Sequence, residues 1–488
     1  MPHLGPGVPH QRKQDLPGFY LNNLPPNAAK RGASQPESTM RDAATHLLLL
    51  LLQASLSLSL PTTQNVGDLD TIDIKPEFCV RTDKHFLQHA KKRFTQSMER
   101  FTQSIYLHMA ERSPNSNFVF SPLSIHSALT MLYLGTTTNS TTELELKDAM
   151  GMIASKETVQ CSYKSIVDVY NQEKNFKYAN KFWLQQGYDV NPNFKQKVEK
   201  VLNSGAENIN FNAEDSVDLV NSWVATMTNQ KIKKMVEEFS SNTVLYLANA
   251  LYFKEEWLVP FDDVNYDDTP LTGNFETPSG PKEVGMIQQI NSNATYGEIK
   301  IYSDELVEVV SLPYKNELFE MQIILPKNKA QFSRMEAKMN QSNERGLTAT
   351  ETGHFNIFSS KKNEVIDELK EDISEVHLRL PTFKVRFDLD VVESLKKLGV
   401  KRVFQAGAEL AELGTGPISV SKISHTALLE VSKEGTEGAE IVLPSSATND
   451  RLNIVVDRPF IFVVFDKKNK IPVLVGRVMD PTITIPSR

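Results

Sequence analysis

Apolar residues recur along this chain with two different periods, and the two are intermixed rather than strictly alternating. Phe94, Met98, Phe101, Ile105 and Met109 fall at helical spacing and predict an amphipathic helix over about 84–111. Arg-Phe-Thr-Gln-Ser occurs twice inside it, at 93 and 100, and the seven-residue offset puts both phenylalanines on one face, as core packing requires. Ser121 and Pro122 supply a capping hydroxyl and a first-turn proline; Ile125, Leu129 and Leu132 follow, and Gly135 ends that helix. Val217, Val220, Val224 and Met227, with Trp223 beside them, mark another. The stretch 163–172 reads as helical, as does the run Val365, Leu369, Ile373, Val376 within a charged segment, and Val391, Leu395 and Leu398 predict a short helix before Gly399.

Period-two runs and short apolar blocks predict strands. These are Ala179–Leu184, Leu318–Leu325, and Leu378 and Leu380 up to Pro381. Phe383, Val385, Phe387 and Leu389 alternate with Lys384 and Arg386, so one side of that strand is buried. Ile461–Phe465 and Ile471–Val475 make a hairpin. Val244–Phe253 is apolar on both faces and belongs in the middle of a covered sheet. Asn249 within it must find hydrogen-bond partners or be strongly destabilising. The mixture indicates an α+β fold with mainly antiparallel sheets.

One stretch near the C-terminus has a different character. An apolar run (Ala427, Leu428, Leu429, Val431) reads as a strand, and Gly435, Thr436, Glu437, Gly438 and Ala439 after it are mostly small. A polar tip follows from Pro444 to Arg451, and Ile454, Val455 and Val456 return to an apolar pattern. This is a loop held at both ends by a sheet.

Length and charge narrow the classes. The 488 residues exceed one average domain, and 40% are hydrophobic, enough for a large core. A net charge of −7 argues against nucleic acid as a partner. No apolar run reaches the ~20 residues that span a bilayer, so no membrane partner is expected. Leu47–Leu60 is an apolar run of signal-peptide length preceded by Arg41 and followed by Pro61. Residues 40–60 are therefore expected to be a signal peptide with translation starting at Met40, 1–39 an extension outside the fold, and 61–83 a flexible lead-in; N-terminal sequencing of secreted protein checks this. Secretion makes three glycosylation triplets readable, at Asn139, Asn293 and Asn340.

The chemistry of an enzyme is missing from the sequence. There is no Gly-x-Ser-x-Gly elbow, His-Glu-x-x-His, phosphate-binding loop or Cys-x-x-Cys, and no cofactor or metal is expected. Cys79 and Cys161 are the only cysteines, too few for a disulfide framework. Lys84, Lys91, Lys92, Arg93 and Arg100 supply basic charge for weak polyanion binding, although a solvated helix face accounts for them as well.

The strand, small-residue hinge and exposed tip, with Asp457-Arg458-Pro459-Phe460 and Gly476-Arg477-Val478 at matching spacing, resemble the serpins over about 84–482, leaving 483–488 as a tail. Asn117–Gly135 and Val244–Phe253 with Lys254 and Trp257 carry the same resemblance. It implies eight or nine helices around three sheets with an exposed reactive loop near 435–456, in a secreted monomer. It implies that Ser121, Ser124, Asn249 and His425 form the buried cluster called the shutter, and that Trp257 lies at the breach, where the loop begins to insert.

The resemblance also implies a mechanism: a serine protease cuts the loop, and the loop then inserts into the large sheet and traps the acyl-enzyme. Thr436, Gly438, Glu440, Val442 and Pro444 would then face inward, since strand side chains alternate. Glu440 and Pro444 depart from the family's small apolar residues, and Lys433 replaces its usual acidic residue. Counting from the hinge puts the reactive bond at Asn449-Asp450. Arg451-Leu452 is the alternative and would suit a trypsin-like protease. A non-inhibitory serpin, a binding or carrier module, is the other reading. A Cys79–Cys161 disulfide tying the lead-in to the domain is implied by some secreted members.

Overall fold

The structure is a computed structural model, and it describes residues 84–152, 155–170, 173, 176–265, 268–292, 299–344, 375–433 and 451–483. Among these residues eight α-helices and three sheets form. Helix α1 (Lys84–Arg112) buries Phe94, Met98, Phe101, Ile105 and Met109, the row predicted from spacing. Helix α2 (Pro122–Gly135) is buried at every residue. Its start is set by Ser121, whose Oγ accepts the Ser124 N–H at 3.0 Å. Then come α3 (Thr141–Ala149) and α4 (Lys156–Tyr170). Helix α4 begins earlier than the sequence reading, so Cys161 lies within it.

One of the three sheets has five strands. Its order is β11 (Phe383–Asp390), β12 (Val420–Val431), β4 (Leu245–Phe253), β2 (Phe176–Gln185) and β3 (Gly205–Ile209). All nine residues of β4 are buried, because helices cover both faces. Helix α2 packs on one face, and α6 (Ser216–Met227) on the other, where Trp183, Val220, Val224 and Tyr246 form a second apolar cluster. A short helix α5 (Pro192–Leu202) leads into β3, and its C-terminal cap Asn203 takes a left-handed conformation, φ 48°.

The six-stranded sheet runs β1 (Phe118–Phe120), β15 (Ile471–Val478), β14 (Phe460–Asp466), β9 (Phe319–Pro326), β8 (Val307–Pro313) and β7 (Lys300–Ser303). Every residue of β14 and β15 is buried. Gly476 has a steric reason: a Cβ there would lie 2.3 Å from the Phe118 carbonyl oxygen on β1. Arg477 is fully buried, with Glu336 on α7 (Phe332–Glu344) at 2.7 Å and the Phe118 ring 4.8 Å away. The third sheet is β13 (Arg451–Val455), β10 (Glu375–Pro381), β6 (Gly280–Ser292) and β5 (Thr272–Thr277). Val376 lies in β10, so it does not continue the helix predicted from Val365; Val365, Leu369 and Ile373 lie outside the described residues. Its alternation with Leu378 and Leu380, all three buried, is the stronger pattern. Helix α8 (Val391–Lys397) follows β11 as predicted.

Most pairings are antiparallel. Among the described strands, β12 with β4, β2 with β3 and β10 with β13 are parallel.

Candidate functional site

Residues from α2, β2, β4 and β12 meet beneath the five-stranded sheet. Asn180, Asn249 and His425 stand in one register row across β2, β4 and β12, with their side chains toward α2. His425 Nε2 accepts the Ser121 backbone N–H at 3.0 Å. Its proton is therefore on Nδ1, which donates to Asn249 Oδ1. Asn249 Nδ2 donates to the Ser124 carbonyl at 2.7 Å and to Asn180 Oδ1. Asn180 Nδ2 reaches Ser127 Oγ at 3.0 Å, and Ser127 pairs with the Tyr178 hydroxyl. Ser121 Oγ donates to the Val473 carbonyl at 2.7 Å.

The four residues singled out from the sequence thus come together, with one change of role. Ser124 contributes its backbone, and its hydroxyl has no partner among the described residues. Sequence reading missed Asn180 and Ser127. The signal for Asn180 was available: like Asn249, it is a polar residue inside an apolar strand. The cluster is fully desolvated, and burial holds the His425 imidazole down at about 3, so it is neutral. His126 on α2 is held at about 3 by the same cause, between Ser97 Oγ and the Tyr163 hydroxyl.

The C-terminal end of β12, which precedes the hinge expected from the sequence, is also anchored. Trp257 is buried, stacks on Tyr314 with ring centroids 4.5 Å apart, and donates from Nε1 to the Ser432 carbonyl at 3.2 Å. Lys433 pairs with Asp263 at 2.6 Å. Burial, with the neighbouring Asp263 charge, raises the Asp262 carboxyl, and Lys433 opposes this. Between β4 and β12 the sheet is closed in continuous register from Lys422 opposite Tyr246 to Leu429 opposite Phe253, after a register shift between Val420 and Lys422.

Other expectations divide. Gly435, Thr436, Glu437, Gly438, Ala439, Asn449 and Asp450 lie outside the described residues, as do Cys79 and Asn293. Arg451 and Leu452 open β13, in register with Glu375 and Val376 of β10. Asn139 is exposed, and Asn340 lies in α7. Cys161 is buried. Lys91, Lys92 and Arg100 are exposed on α1, and Lys91 Nζ donates to the Lys468 carbonyl at 2.6 Å. Among the described residues no group of His, Cys, Asp or Glu is placed to hold a metal ion.

The profile of one family, Serpin (serine protease inhibitor), matches residues 96–481. The chain belongs to the serpin family. Serine protease inhibitor 42Dd of Drosophila melanogaster is 30% identical over 394 residues, covering 78% of this chain and 95% of that protein. Among solved structures, Serpin48 of the insect Tenebrio molitor matches with a TM-score of 0.65 at 24% identity, over 80% of this chain and 98% of that one. Human thyroxine-binding globulin, solved with its hormone, matches with a TM-score of 0.66 at 20% identity, over 81% of this chain and all of the other. Serpins are for the most part protease inhibitors rather than enzymes. In this serpin the cluster around His425 and Asn249 lies directly under the seam of the five-stranded sheet where the parallel strands β4 and β12 meet at its centre.

Proposed function

We propose that this serpin is a secreted inhibitor of serine proteases that acts as a suicide substrate. The observation that carries the reading is the parallel pairing of β4 and β12, with the loop leaving from the end of β12. A segment that folds back from Lys433 runs antiparallel to β12. Placed between β12 and β4, it is antiparallel to both, and one parallel pairing is replaced by two antiparallel ones, which are somewhat more stable per residue. The protease serine attacks the carbonyl of the reactive residue, the leaving amine departs with the C-terminal part of the loop, and the acyl-enzyme remains on the part that inserts. Insertion then releases the free energy held in the intact fold.

The pairing of Arg451 and Leu452 with β10 supports Asn449-Asp450 as the reactive bond, because a bond inside a paired strand must first be peeled away to enter a protease cleft. A non-inhibitory role as a binding or carrier module is favoured by Glu440 and Pro444, which fit an inserted strand poorly. A Cys79–Cys161 disulfide is supported by the absence of a free thiol at Cys161. The exposed Asn139 supports glycosylation there.

The test is thermal unfolding of the protein intact and after one nick in the loop. Pancreatic elastase suits the nick, since its small specificity pocket accepts residues such as Ala447. Inhibition by insertion gives a rise of tens of degrees in the nicked protein. An unchanged midpoint rejects it in favour of the binding module.

A further inference from the structure

Helices α1 and α4 and the turn between β14 and β15 enclose a groove of about 610 Å³, a volume in the range of small-molecule sites. Its floor is apolar. Ala90 and Phe94 stand one turn apart on α1, and Ile166 and Val169 do so on α4. Ser162 and Ser165 also line it, but their hydroxyls are spent within α4: Ser162 Oγ donates to the Thr158 carbonyl at 2.9 Å, and Ser165 Oγ to the Ser162 carbonyl at 2.8 Å. The walls therefore offer a ligand apolar contact and few hydrogen bonds.

One end of the groove is cationic. Lys91 and Lys468 line it, and Lys470 is close enough to act on Lys91. Partial burial holds the Lys91 ammonium below the ordinary lysine range; the Asp466 carboxylate opposes this, and the Lys468 and Lys470 charges add to it. Asp466 is occupied by neutral donors, the Tyr170 hydroxyl at 2.6 Å and the Asn469 N–H and Nδ2 at 2.7 Å each. Among the described residues none of the three lysines forms an ion pair, and Lys91 Nζ donates only to the Lys468 carbonyl. Cys161 lies toward the other end. From Cys161 to Tyr170, which bonds Asp466 at the cationic end, α4 rises about 13 Å, so a disulfide at Cys161 stands away from the lysines.

We infer that the groove between α1 and α4 binds a medium-length acyl carboxylate, with its head at Lys91 and Lys468 and its chain over Phe94, Ile166 and Val169. The head supplies the counter-charge that the lysines lack, and the chain removes the apolar floor from water. A sulfated polysaccharide meets the lysines but leaves that floor wet, so the acyl anion is the better fit. The site does not involve the reactive loop, and it stands whether or not the loop inserts.

The experiment titrates dansylated undecanoate into the full chain and follows its fluorescence, with the methyl ester of the same probe as the uncharged control. Saturable binding of the acid is expected, with the ester about tenfold weaker, the size to which one charge-assisted hydrogen bond converts. Lys91→Met combined with Lys468→Met is expected to bring the acid down to the affinity of the ester. Val169→Glu, which sets a carboxylate on the floor, is expected to abolish binding of both. Circular dichroism and the melting midpoint report whether each variant folds; if Val169→Glu does not, the lysine pair, which is exposed, decides alone. No saturable binding to the wild type overturns the site. Wild-type affinity for the acid in the lysine variant overturns it too, since binding is then elsewhere. Binding that appears only in Cys79→Ser also overturns it, because the lead-in is then the occupant of the groove.

Discussion

His425 and His126 are bases held neutral by burial, each with a proton affinity far below that of an unfolded histidine. The folded value is about 3 for both, against the ordinary 6.5. Below 6.5 the unfolded chain binds protons that the folded chain cannot, so stability is complete at and above that pH and is lost as the pH falls toward 3. Each histidine contributes a slope of about 1.4 kcal/mol per pH unit in that window. Urea unfolding at pH 7, 6 and 5 is expected to show this loss, and His425→Gln to remove about half of the slope. A variant with the wild-type slope places the titration elsewhere. At this scale the sequence was legible in part. A lone asparagine in an apolar run announces a buried polar partner. Which nitrogen of His425 carries the proton follows only from the Ser121 N–H aimed at Nε2.

Among the elements, the start of α2 and the alternation of β11 were read correctly, because they depend on neighbours in the chain: Ser121 caps α2, and β11 buries one side. The misreading at Val376 has a local cause. Val376 fits a helical row and a strand row equally well over so short a window, and pairing with Asn291 and Leu452 decides for the strand. Strands β1 and β15 give a direct test of element packing. Gly476→Ala drives a methyl against the Phe118 carbonyl, a backbone atom that cannot turn aside. It is expected to separate β1 from β15 and to cost about 3 kcal/mol or more, as overpacking in a core does, measured by chemical denaturation. A near-neutral substitution shows that β1 can shift freely.

For the whole molecule the question is what the closed sheet does when the loop is cut. Strand alternation from Thr436 puts Glu440 on the inward face of an inserted loop, where a carboxylate is costly. Glu440→Ala is therefore expected to raise the melting midpoint of the nicked protein and leave that of the intact protein nearly unchanged. Equal midpoints in the nicked forms mean that Glu440 does not enter the sheet.

The sequence by itself determined helices α1, α2, α6 and α8 and the body of α4, most strands, the α+β class and the family, since spacing, caps and motifs are local properties of the chain. It also marked Asn249 and His425 as partners through the family resemblance. The tertiary structure decided the parallel meeting of β4 and β12, the place of Asn180 and Ser127 in the cluster, the pairing of Lys433 with Asp263, and the burial of Lys181 against the Trp183 and Trp223 rings. Those residues lie far apart in the chain, and no local period records which strand will stand beside which. Only the closing of the sheet brings the charges and hydrogen-bonding groups within reach, and burial then fixes how strongly each is held.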